Sequence, residues 1–262
     1  MQGVTPSADG VAIAYETRGA GFPALVFVHG WSCSRRYWDL QIPVFAQSAL
    51  VVAIDLAGHG ESTSNRENWS VARFGNDVTA VVDALELQDV ILIGHSMGVD
   101  VILEAARELE GRVRGLVWVD EYNTLSAFMT QQNIQQRLEP FRARFVDATH
   151  AFVRGMFGPT SDPVLVDRIC RNMSSAPERI AVPSLEATWD HGPRVPGLLA
   201  ELGLPVVTIN AASPPTDAGS MRRNGVEVLL VSNTGHFPML ERPQEFNLCL
   251  SQAIQLIGAD RA

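Results

Sequence analysis

Short continuous apolar runs alternate along this chain with longer stretches in which apolar residues recur every three or four positions. The runs cover residues 24–28, 50–54, 90–93, 116–119, 205–209 and 228–231 and are mostly aliphatic or β-branched. A strand covered on both faces has no polar side, so it reads as an unbroken apolar run, as in a parallel sheet between helices. Residues 11–18 alternate instead and end in Gly19-Ala20-Gly21, which predicts an edge strand and a turn. Residues 71–87 place Val71, Phe74, Val78, Val81, Val82 and Leu85 on one helical face. Residues 97–109 do the same with Ile102, Ala105, Ala106 and Leu109. Residues 243–257 open on Pro243, a favoured first helical residue, and carry Phe246, Leu250 and Ile254. The alternation predicts an α/β fold: a doubly wound, mostly parallel sheet flanked by helices.

One segment breaks this rhythm. Residues 122–202 contain no convincing strand, and 126–155, 162–172 and 176–188 read as helices, with 189–196 as a loop. That is too long for a bare connection. The segment reads as a helical cap inserted after the sixth strand, over a core formed by residues 1–121 and 203–262. The alternative is that these helices pack on the sheet's flank.

Composition narrows the function classes. The chain has 262 residues, 46% hydrophobic and 19% charged, enough for one large globular unit. Its net charge of −9 argues against nucleic acid and anionic membrane partners. No apolar stretch approaches the ~20 residues needed to span a bilayer, and no secretory leader pattern opens the chain. Cys33, Cys170 and Cys249 are dispersed, which suits reduced thiols in the cytoplasm. His150 and His191 have no partner at ligand spacing, so neither a metal nor another cofactor is expected. A monomer or homodimer is expected.

The most informative stretch is 90–98, an apolar strand entering Gly94-His95-Ser96-Met97-Gly98 and then a helix. A serine on such a sharp turn sits in a strained backbone with its hydroxyl above the sheet. Glycines two residues to either side allow strand and helix to approach where a β-carbon would clash. The helix start also aims free N–H groups at a developing oxyanion. Ser96 is therefore the candidate nucleophile.

With these residues the chain resembles the α/β-hydrolase superfamily. His29-Gly30-Trp31 follows the first buried strand, like the family's His-Gly motif. Asp55-Leu56-Ala57-Gly58-His59-Gly60-Glu61-Ser62 is similar to its Asp-x-x-Gly-x-Gly-x-Ser turn, and Gly235-His236-Phe237-Pro238 to its catalytic histidine loop. All stand in family order. The resemblance implies an acyl-transfer site whose backbone donors are the N–H groups of Met97 and Trp31. His236, on the loop after the last buried strand, is the candidate general base. His29, His59 and His95 read as loop and elbow packing residues.

The acid that orients the base follows the seventh strand in most of the family, but here that position falls near Pro214. Asp120, at the end of the sixth strand, is the replacement favoured, with Asp217 and Glu121 as alternatives. Asp217 stands three residues late at a helix start, where compensating the helix dipole is its ordinary role. Asp100 is read the same way. The chain also weakly resembles zearalenone-type lactone hydrolases, through the acid after the sixth strand and the turn Ala211-Ala212-Ser213-Pro214. Those enzymes have Glu where this chain has Asp120.

Tyr122, Asn123, Met129, Trp189 and Phe237 are the expected substrate contacts, an aromatic and methionine wall that suits an apolar acyl or aryl group. The expected function is hydrolysis of a small carboxylic ester or lactone by an acyl-serine route. A thioesterase, a carbon–carbon bond hydrolase, a perhydrolase and a ligand receptor with a slow triad remain as alternatives.

Overall fold

A computed structural model describes residues 1–259. Its strands are β1 (Gln2–Pro6), β2 (Ala12–Arg18), β3 (Ala24–Val28), β4 (Val51–Ile54), β5 (Val90–His95), β6 (Val113–Val119), β7 (Val206–Ala211) and β8 (Val226–Val231). They form one sheet in the order β1-β2-β4-β3-β5-β6-β7-β8. β1 and β2 are antiparallel, and β3 to β8 run parallel. Every residue of β3, β4, β5 and β7 is buried, which is why these strands read as unbroken apolar runs.

The helices are α1 (Ile42–Phe45), α2 (Val71–Ala84), α3 (Met97–Glu108), α4 (Gln131–Ala143), α5 (Phe145–Arg154), α6 (Pro163–Ser174), α7 (Glu178–His191), α8 (Val195–Leu202), α9 (Ala218–Arg223), α10 (Pro238–Glu241) and α11 (Pro243–Ala259). α2 packs along α3, while α11 covers β6, β7 and β8. Trp38 meets Phe246 at 6.3 Å between ring centroids, which closes the α11 face of the core. The amphipathic faces read from sequence are the ones buried: Phe74, Val78, Val81 and Val82 on α2, and Phe246 and Leu250 on α11. Among the described residues, no helix is long and apolar enough to cross a membrane.

The segment between β6 and β7 is helical, with two departures from expectation. The long helix expected over 126–155 begins only at Gln131 and breaks at Arg144, whose φ of −150° and ψ of 71° are not helical. The loop expected at 189–196 is instead the end of α7, a 3-10 turn (Gly192–Arg194) and the start of α8. Side chains of α5, α6 and α7 face the end of β5, whereas α8 packs beside α3. α7 also packs against α2 and α3.

Parallel register brings the chemistry together. Gly94 lies opposite both Val28 and Trp118, and His95 lies opposite Val119. The residues that follow these strands, Ser96 and Asp120, therefore emerge side by side at one sheet edge. The Ser96 N–H donates to the Val119 carbonyl at 3.0 Å, and the Asp120 N–H to that of Ile209 at 3.1 Å.

Candidate active site

Ser96 stands between β5 and α3 with φ 51° and ψ −127°. Few residues other than glycine adopt such a backbone, and holding one there costs of the order of 1–3 kcal/mol. The flanking glycines make the turn possible. A β-carbon on Gly94 would lie 2.3 Å from the Gly98 carbonyl oxygen, and one on Gly98 would lie 2.6 Å from that of Val28. Both clashes are with backbone, which cannot step aside. Gly94→Ala should therefore destabilise the fold by about 1–3 kcal/mol. A urea midpoint that falls at constant slope would show this, and an unchanged midpoint would contradict it.

His236 sits on the loop after β8. Its N–H donates to the Met156 carbonyl at 2.8 Å, and its own carbonyl accepts from His95 Nε2 at 2.8 Å. His95 is thus more than packing, because it fastens the backbone of the candidate base. Burial, and then the nearby His236, keep the His95 pKa well below the usual histidine range, so it serves as a neutral donor.

His236 Nδ1 donates to Asp120 Oδ2 at 2.8 Å, while Asp120 Oδ1 accepts the Ala211 N–H at 2.6 Å. With Nδ1 engaged, the Nε2 lone pair is the group left to take a proton. Burial alone would lower the His236 pKa. The hydrogen bond and charge of Asp120, with Glu121 and Glu241 further off, outweigh it and leave the pKa above the ordinary value. Asp217 does not join this set. It caps α9 by accepting the Ser220 N–H at 2.9 Å.

Ser96 and His236 border one cavity of about 90 Å³, with Glu121 beside them. Its apolar wall includes Trp31, Phe152, Met173, Leu185, Trp189 and Phe237. Trp31 is fixed by its indole N–H, which donates to the Ala181 carbonyl of α7 at 2.7 Å, and by edge contacts with Phe141, Phe145 and Phe152. Met97 opens α3, so its N–H has no carbonyl partner within the helix. On the loop after β3, the next N–H groups beyond Trp31 are engaged, Ser32 with His59 Nε2 and Cys33 with the Gly30 carbonyl.

Three of the expected substrate contacts lie elsewhere. The Tyr122 hydroxyl donates to Asp100 at 2.7 Å, which turns the ring toward α3 and away from the cavity. Asn123 borders a separate outer groove and is tied to Thr216. Met129 packs at the edge of the core, where its sulfur meets Arg137 at 3.6 Å. The reason is local. Asp120 has φ 50°, and this left-handed turn sends Glu121, not its neighbours, into the cavity.

His29 holds its loop as expected. Its Nδ1–H donates to the Gly30 carbonyl at 2.8 Å and its Nε2 accepts the Leu56 N–H at 3.1 Å, with burial pulling its pKa down to about 4. Asp100 does more than offset a helix dipole. It is fully buried and accepts from both Tyr122 and His191 Nδ1, the latter at 2.7 Å. His191 Nε2 reaches Glu104 at 2.9 Å, and these two carboxylates outweigh burial and raise the His191 pKa. The end of α7 is therefore anchored to α3, which explains why the expected loop is ordered helix.

The model of the alpha/beta hydrolase family matches residues 25–247, and the chain belongs to that family. It is 38% identical over 98 residues to the bifunctional esterase/perhydrolase DCH of Acinetobacter calcoaceticus, covering 37% of this chain and 36% of that protein. It is 38% identical over 121 residues to a non-heme haloperoxidase of Rhodococcus erythropolis, covering 45% and 43%. The chain thus spans well under half the length of the curated relatives it matches. The fold is also that of a thermophilic esterase from Thermogutta terrifontis, with a TM-score of 0.84 at 21% identity, covering 98% of this chain and 99% of that one.

Proposed function

We infer that this protein is a serine hydrolase that cleaves a carboxylic ester or lactone through an acyl-Ser96 intermediate. The observation that carries this reading is the position of Ser96, on its strained turn, and His236, oriented by Asp120, around one cavity. In the proposed reaction the Ser96 oxygen attacks the carbonyl carbon while His236 Nε2 takes its proton. The carbonyl electron pair moves onto oxygen, where the N–H groups of Met97 and Trp31 receive it. Collapse breaks the carbon–oxygen bond, and His236 returns the proton to the leaving alcohol. Water then repeats the sequence on the acyl-enzyme and frees Ser96.

A serine at this position excludes the aspartyl-ester route that related dehalogenases and epoxide hydrolases use. The esterase/perhydrolase similarity supports ester cleavage and favours hydrogen peroxide as a second acyl acceptor. The small, mostly apolar cavity favours short acyl groups. A fluorophosphonate probe should add one label, at Ser96, and p-nitrophenyl acetate or butyrate should be turned over many times. Absence of the label, or a single slow covalent event with rearrangement of the cap, would replace the hydrolase reading, the latter with a receptor.

A further inference from the structure

Glu121 is the acidic side chain of the cavity, and the acyl-transfer scheme gives it no role. Its side chain borders the inner cavity beside Ser96 and also the wider outer groove of about 820 Å³ formed by the turn at 212–214 and the loop at 155–160. Met156 and His236 are the other two residues common to both spaces. Glu121 thus stands at the neck between them. Glu121 and the Ser96 hydroxyl border the same cavity. A substrate whose carbonyl reaches Ser96 and whose chain extends toward the outer groove passes the Glu121 carboxyl.

The charged and titratable groups facing Glu121 are Asp100 on α3, Asp120 next to it in the chain, the Tyr122 hydroxyl and His236 on the loop after β8. On α7, His191 is engaged by Asp100 and Glu104. His236 is itself paired with Asp120. Burial, then repulsion from Asp100 and, more weakly, Asp120, raise the Glu121 pKa to about 8, against the opposing pull of His236 and Ser96. Raised in this way, the carboxyl keeps its proton to higher pH than an ordinary glutamate, and an acid can donate where a carboxylate can only accept.

We propose that Glu121 is a specificity-determining residue of this site, whose protonated carboxyl donates a hydrogen bond to an oxygen acceptor lying a few atoms from the scissile carbonyl. The proposal rests on the acyl-Ser96 reading. It assigns the substrate class more closely: esters or lactones with an ether, hydroxyl or carbonyl oxygen near the reacting bond, rather than plain alkyl esters. Pairing that oxygen with the acid satisfies both groups, whereas a methylene in its place leaves the half-buried acid without that partner.

The test compares isosteric esters that differ by one oxygen. On the acyl side these are p-nitrophenyl methoxyacetate and butyrate, and on the alcohol side 2-methoxyethyl and butyl acetate. The ratio of kcat/KM within each pair is measured for the wild type, Glu121→Gln and Glu121→Leu. Differences in intrinsic reactivity cancel between variants. For one of the pairs, the wild type should favour the ether by about tenfold more than Glu121→Leu does, and that preference should fade as pH rises past about 8. Glu121→Gln, which keeps a donor and cannot titrate, should hold the preference without the alkaline decline. Equal ratios in wild type and Glu121→Leu for both pairs, or an alkaline decline that persists in Glu121→Gln, would overturn the role of Glu121 while leaving the hydrolase intact. Failure of the wild type to turn over any of the four esters would instead overturn the hydrolase reading itself.

Discussion

Replacing Ser96 with alanine should lower kcat/KM on p-nitrophenyl butyrate by roughly three orders of magnitude or more while leaving the protein folded. The two halves of this expectation have separate causes. The loss follows because the variant has no oxygen to form the acyl bond, and neither His236 nor the backbone donors supply one. What activity survives comes from water attacking a bound ester near those donors. Stability is kept because the strain at φ 51° belongs to any residue with a β-carbon, so alanine meets the same backbone cost as serine. The unfolding midpoint should move by no more than about 1 kcal/mol in free energy. Near-normal turnover in this variant would end the acyl-serine mechanism. A collapsed midpoint would show instead that the hydroxyl supports the turn.

How much of this was legible in the sequence depends on which physical signal each element leaves. β3 and β5 are buried on both faces, and burial writes itself as an unbroken run of Val, Ile, Leu and Phe. β1 leaves no such trace. It is an edge strand whose residues alternate between exposed and half-buried, and Gln2-Gly3-Val4-Thr5-Pro6 has no apolar periodicity to find. Ser96 and His236 were readable because their turns need glycine at fixed spacing. Tyr122 and Asn123 were misplaced because the direction of a side chain after a strand depends on a single backbone angle, the positive φ of Asp120, which an aspartate does not announce. The same angle carries Glu121 into the cavity, where only the fold makes it a neighbour of Ser96. His191 has no partner at metal-ligand spacing in the sequence. Its partners Asp100 and Glu104 are close only in space, 91 and 87 residues away along the chain.

Asp120→Asn should cost roughly three to four orders of magnitude in kcat, and Asp217→Asn less than about twofold. The asymmetry follows from the second hydrogen bond of Asp120. Oδ1 accepts the Ala211 N–H, so in the variant the amide oxygen must remain at that place. The amide NH₂ then occupies the place of Oδ2 and points a donor at His236 Nδ1. That nitrogen can only accept if its proton moves to Nε2, and an imidazole protonated at Nε2 cannot take the proton of Ser96. At position 217, by contrast, asparagine caps a helix as well as aspartate does, so the bond to the Ser220 N–H survives. The pH profile separates this account from simple damage to the fold. His236 must be neutral to act, so activity falls as pH drops through its pKa, which Asp120 holds above the usual histidine value. Removing the carboxylate should move the acid limb of the residual activity to lower pH. A fall in rate with the limb unmoved would mean that Asp120 braces the loop without tuning the base, and the reverse ranking of the two variants would return the acid to the turn after β7.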